Sequence, residues 1–176
     1  CSWANIDGDI KMTGGTLNSG PIERGGTGFI GGVANYSNAN VVVSSASSEN
    51  PAVIAPGTLD PAAGKHVFGT ITAGSAVQAN NVTFGNNGLL RVQIGPDGEA
   101  DKLDVYGTVD LSSASDGMTL TVDPDAKTGT YVLVSATDGI TGTFDAVAAP
   151  KPAWVHYTAT TVEYTVPPVE ALIIMR

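Results

Sequence analysis

Cysteine is nearly missing from this 176-residue chain: there is one, Cys1, so no internal disulfide can form. Positive charge is scarce too. Eight Lys and Arg stand against 17 Asp and Glu, giving a formal net charge of -9 and a pI of about 4.3. A surface of that sign repels phosphate backbones, which argues against nucleic acid as a partner and against adsorption to an anionic membrane. No apolar run reaches the ~18 residues of a membrane span, so no transmembrane segment is expected. Histidine is limited to His66 and His156, and neither has a metal-ligand neighbour at useful spacing. The nucleophile pattern G-x-S-x-G is missing. Gly25-Gly26-Thr27-Gly28 lacks the lysine of a phosphate-binding loop. These absences lead to the expectation of a non-enzyme with no cofactor.

What is present is glycine and strand-forming residues. The 22 glycines exceed the usual share of about 7%. Glycine at this level serves turns that need positive φ. Val, Thr and Ile favour strands, while the helix formers Glu, Lys, Gln and Arg are few. Short segments alternate apolar and polar residues, the period-2 pattern of a strand with one buried face. In Gly88–Ile94, Leu90, Val92 and Ile94 point one way and Arg91 and Gln93 the other. Leu103 and Val105, then Met118, Leu120 and Val122, repeat the logic. Between them lie turn sequences such as Gly85-Asn86-Asn87-Gly88, Gly95-Pro96-Asp97-Gly98 and Ser115-Asp116-Gly117. The chain therefore reads as all-β, with many short strands and tight turns, and is long enough to bury a core without disulfides.

Four regions can be distinguished. Residues 1–52 are Gly-rich and irregular, with a first clear strand at Val41-Val42-Val43, and are expected to pack on the neighbouring solenoid. Residues 53–128 are quasi-repetitive: Gly69, Gly88, Gly107 and Gly129 are spaced by 19, 19 and 22 residues. A period near 20 predicts one turn of a β-solenoid. Residues 129–166 concentrate aromatics at Tyr131, Phe144, Trp154, Tyr157 and Tyr164, which suits a C-terminal β cap hiding apolar surface and strand edges. Within them, Trp154–Tyr157 and Thr161–Val166 read as a hairpin. Residues 167–176 form an apolar terminal strand or tail. An antiparallel β-sandwich is the alternative architecture, since it too yields short strands at spacings of about 8–12 residues.

The segment from Val53 to Val166 resembles the C-terminal β-helix unit of bacterial autotransporter-type passenger domains and of autotransporter-associated β-strand repeat proteins. The matching stretches are Ile54-Ala55-Pro56-Gly57, Asn81–Phe84 with Leu89–Val92, and Asp101–Val105 followed by Gly107-Thr108-Val109. Gly129–Val134 leading into Gly139–Asp145, then Trp154 and the strand ending at Val166, are the most specific. The resemblance implies a right-handed parallel β-helix that is secreted and either structural or adhesive. No part of the sequence reads as an outer-membrane barrel, so the repeat proteins, which often lack one, are the closer likeness.

Several residues are candidates for sites. Asp97, Glu99, Asp101 and Asp104 lie within eight residues on a turn, and clustered carboxylates are the oxygen ligands calcium takes. Their spacing matches neither an EF-hand nor a calcium-binding nonapeptide, so solvated turn residues are the competing reading. Paired carboxylates also serve glycoside hydrolysis, but the central segment has few of the aromatic and basic residues that hold sugars. Leu172, Ile173, Ile174 and Met175 form an apolar strand that can be exchanged between subunits, making the chain's own copies its expected partners. Cys1 followed by Ser2 fits the lipid-bearing first residue of a processed bacterial lipoprotein; a cleavage boundary is the alternative, and intact mass separates the two. The expectation is an extracellular or cell-surface structural subunit of a fibre, sheath or surface layer. A surface adhesin that binds cell-surface glycan is the alternative.

Overall fold

The structure is a computed structural model that describes residues 10–12, 15–18, 33–36, 40–46, 48–49, 51–60, 65–112 and 116–168. The chain makes repeated passes of three strands. The first pass is β1 (Ile10–Met12), β2 (Gly15–Asn18) and β3 (Val33–Tyr36). The second is β4 (Val41–Val43), β5 (Ala52–Ala55) and, after a small hairpin of β6 (Thr58–Asp60) and β7 (Lys65–Val67), β8 (Thr70–Ala73). The third is β9 (Val82–Phe84), β10 (Gly88–Ile94) and β11 (Lys102–Val105). The fourth is β12 (Thr108–Leu111), β13 (Gly117–Val122) and β14 (Gly129–Ala136). The last begins with β15 (Gly139–Gly142) and β16 (Ala146–Ala148), then passes through one 3-10 turn (Pro152–Trp154) to β17 (Val155–Tyr157) and β18 (Thr161–Val166).

Successive strands go to different sheets. The first sheet has the order β1-β4-β9-β12-β15, the second β16-β13-β10-β5-β2, and the third β17-β18-β14-β11-β8-β3. The three strands of each pass thus visit the three sheets in the same cyclic order. Pairing between passes is parallel except where β18 lies on β14; antiparallel pairing is confined, among the described strands, to β6/β7, β14/β18 and β17/β18. The protein is all-β with stacked parallel sheets, an arrangement compatible with a β-helix. The antiparallel sandwich is corrected by this pairing. A sandwich joins sequence neighbours as hairpins, whereas here neighbouring strands, β6/β7 and β17/β18 apart, leave for different sheets.

The register also corrects the period. In the first sheet Val82 pairs with Val109 and Val109 with Ile140, steps of 27 and 31 residues. In the second sheet Leu90, Met118 and Val147 are in register, steps of 28 and 29. The pass that carries the β6/β7 hairpin is longer: Val41 pairs with Val82, a step of 41. The glycines spaced by about 20 do not mark passes. Gly69 precedes a third-sheet strand, Gly88 opens one in the second, Gly107 precedes one in the first, and Gly129 opens one in the third. They mark corners instead. A Cβ on Gly107 would lie 2.3 Å from the Asn80 carbonyl oxygen of the preceding pass, so only glycine lets the chain turn there.

In β4 and β8 to β13 alternate residues point to one shared core. Val41, Val43, Val82, Phe84, Val109 and Leu111 come from the first sheet, and Ile54, Leu90, Val92, Met118 and Leu120 from the second. Ile71, Leu103, Val105 and Val134 come from the third. Burying each of these large side chains contributes about 1.5–3 kcal/mol. Phe84 meets Phe144 edge-on, ring centroids 5.4 Å apart. Strands β1 to β4 extend the sheets into the region before residue 53; at the C-terminal end β18 pairs antiparallel with β14 from Gly129 onward and with β17, while β15 and β16 continue the parallel sheets.

Candidate functional site

The strand alternation reaches past the strands into the corners. Asp101 shares the inward parity of Leu103 and Val105, and Asp116 shares that of Met118 and Leu120. Asn80 does the same before Val82 and Phe84. All three polar residues are buried. Each must find hydrogen-bond partners there, because an unpartnered buried polar group costs free energy.

Asp101, only 1% exposed, finds three. Its Oδ1 accepts from the Gly69 N–H at 3.1 Å and its Oδ2 from the Gln93 N–H at 2.9 Å. His66 Nε2 lies 2.9 Å from Oδ2 and 3.1 Å from Oδ1. A carboxylate only accepts, so Nε2 carries the proton in this contact. The imidazole stands edge-on to Phe68, centroids 4.9 Å apart. Gly57 leaves the room: a Cβ there would lie 2.1 Å from His66 Nε2 and 2.2 Å from Asp101 Oδ1. The carboxylate thus ties the β6/β7 hairpin, the start of β8 and the end of β10 to one point. All of its contacts run into the fold, which makes it a structural clamp.

The other three acidic turn residues go elsewhere. Asp97 is exposed; Lys127 Nζ sits 3.7 Å from its Oδ1 and donates to its carbonyl oxygen at 2.9 Å. Glu99 Oε2 accepts from the Asp97 N–H at 3.0 Å. Asp104 faces outward on β11, 3.2 Å from Lys102 Nζ and hydrogen-bonded by the Ser135 hydroxyl. Among the described residues, no group of three or more His, Cys, Asp or Glu is arranged to hold a metal ion. Cys1 and the strand Leu172, Ile173, Ile174 and Met175 lie outside the described residues.

At the C-terminal end the expected hairpin is present as β17 and β18, in register from Val155↔Tyr164 to Tyr157↔Val162. Its aromatics pack inward. Tyr164 is fully buried, and Trp154 and Tyr157 are half-buried against the core. Trp154 leans on Tyr164 at 6.1 Å, and the Tyr157 hydroxyl accepts from the Phe144 N–H at 3.3 Å. Burial pushes the Tyr157 and Tyr164 phenols up, for Tyr157 with a further contribution from the Asp116 charge. The one large apolar side chain standing exposed among the described residues is Val77, on the Ser75–Gln78 turn.

Asp116, also 1% exposed, is less well served than Asp101. Its Oδ1 accepts from the Asp145 N–H at 3.1 Å, while its Oδ2 has no hydrogen-bond partner. Burial first, then the like charges of Asp145 and Asp110, push its carboxyl up to about 6.

A ladder of side chains links the passes at another corner. Asn40 Oδ1 accepts from the Asn81 N–H at 2.7 Å, and Asn81 Oδ1 from the Thr108 N–H at 2.9 Å. Each rung stands just before a strand of the first sheet. Among the described residues, no helix is long and apolar enough to cross a membrane. No protein-family model, no curated protein and no solved structure matches this chain.

Proposed function

We propose that the protein is a non-catalytic structural subunit of an extracellular bacterial fibre, sheath or surface layer, folded as a right-handed parallel β-helix. Subunits join end to end through open strand edges. The observation that carries this reading is the state of the last parallel strand. β16 pairs with β13 on one side, and among the described strands nothing pairs with its other side. Its residues Ala146 and Ala148 are exposed. An unpaired edge of small residues is a template for another strand. The antiparallel hairpin closes only the third sheet, and the Ala159 carbonyl covers only Ile140 of β15. At the other end β1, β2 and β3 are, among the described strands, the edge strands of the same three sheets. The likeness to autotransporter-associated repeat proteins points the same way.

The packing of Trp154 and Tyr157 favours this reading over a glycan-binding adhesin, which needs aromatic faces turned to solvent. Negative-stain electron microscopy and sedimentation over a wide concentration range test the proposal. Filaments or a concentration-dependent series of oligomers are expected, and V147P, which places a proline in the edge strand, should suppress them. A strictly monomeric species at every concentration refutes the assembly.

A further inference from the structure

We infer that Asp116 is a pH-sensitive latch on β16: protonated, it holds the connection between β15 and β16 in place; ionised, it drives that connection open. The geometry is local and specific. Asp116 stands directly before β13, the strand on which β16 lies, and its Oδ1 accepts from the N–H of Asp145, the residue directly before β16. It is therefore the side chain that pins the start of the terminal strand.

The charged and titratable groups facing it come from three elements. They are Asp145 from the β15–β16 connection, Asp110 from β12 and Tyr157 from β17. Its own strand, Gly117–Val122, has no titratable residue, and β10 presents the apolar Leu89 beside Gly117. Among the described residues no cation offsets the charge. An ionised Asp116 is a buried anion beside two other carboxylates, with one oxygen unpartnered. Opening the connection lets water reach it and separates it from Asp145. Protonation removes the repulsion and leaves Oδ1 free to go on accepting from Asp145.

The direction follows from linkage. The folded-state carboxyl titrates at about 6 and the unfolded one at 3.8. Below the lower value both states hold the proton and nothing is lost. Between the two, the unfolded or opened form ionises first and the closed form loses ground. Above the upper value the loss is complete, on the order of a hundredfold in the closed-to-open ratio.

The test is amide hydrogen exchange of residues 143–148, corrected for intrinsic exchange rates, near pH 5 and near pH 7.5. The wild-type segment should lose protection by tens-fold to about a hundredfold at the higher pH, while D116N, which keeps the acceptor oxygen and cannot ionise, should change little. Equal corrected protection at both pH values in the wild type, or the same loss in D116N, overturns the latch. Should D116N not fold, the side-chain carboxyl carbon of Asp116 is titrated by NMR in the wild type. A midpoint above about 5 supports the latch, and one below it overturns it.

Discussion

Replacing Asp101 with alanine removes the acceptor of three N–H groups at once: those of Gly69, Gln93 and His66. Hydrogen bonds to a charged group contribute about 1.5–3 kcal/mol each, and a buried donor left without its partner costs about 1–3 kcal/mol. These values overlap and do not add. Leaving three N–H groups without their acceptor puts the expected cost of D101A at about 3–5 kcal/mol. D101N retains one oxygen, so one backbone donor stays satisfied while the new amide opposes the other; about 2 kcal/mol is expected. H66A leaves the carboxylate with both backbone donors, and the imidazole is 16% exposed, so its loss should cost only about 1 kcal/mol. The assay is urea unfolding followed by tryptophan fluorescence, with the m-values compared to confirm that the same surface unfolds. The prediction lies in the order: D101A worst, D101N intermediate, H66A mildest. A D101A cost below about 1 kcal/mol, or an H66A cost equal to that of D101A, would refute the clamp.

Other outcomes are expected from the same structure. F84A, at a fully buried ring packed against Phe144, should cost about 3–5 kcal/mol in the same urea assay, because the hydrogen-bonded strands around the site cannot collapse into the space. Calcium or EDTA should leave the melting temperature unchanged, because Asp101 turns away from Asp97 and Glu99 to bind backbone N–H groups while Asp104 pairs with Lys102; a clear shift in differential scanning calorimetry would contradict this.

The strands were legible because alternation is a local property. Leu90, Val92 and Ile94 announce their buried face within one segment. The parallel register was not, since it joins residues such as Val82 and Val109, whose neighbours share little sequence. The glycines misled for a physical reason. Gly88 and Gly107 are needed where a Cβ would meet a carbonyl oxygen of the preceding pass, and such corners occur more than once per pass, so their spacing reports corners. The acidic turn looked like a single cluster because Asp97, Glu99, Asp101 and Asp104 are close in sequence. The parity that turns Leu103 and Val105 inward also turns Asp101 inward, and that signal was available in the sequence. Its partner His66, 35 residues earlier, was not, because nothing local marks a contact between passes. Asp116 obeys the same parity rule, but its missing partner is visible only in three dimensions.

The cyclic order of the strands has a further consequence for how the chain reaches its fold. Each new pass needs only its predecessor as a template, and the loop to be closed runs from 27 to 41 residues, a spread that changes its logarithmic entropic cost by only a few tenths of a kcal/mol. Growth can begin at any adjacent pair and run in both directions. What stops it at one end is a reversal of direction: β18 lies antiparallel on β14, and β17 antiparallel on β18. The hairpin is a terminator written into one sheet of three, and among the described strands the other two sheets end at β15 and β16.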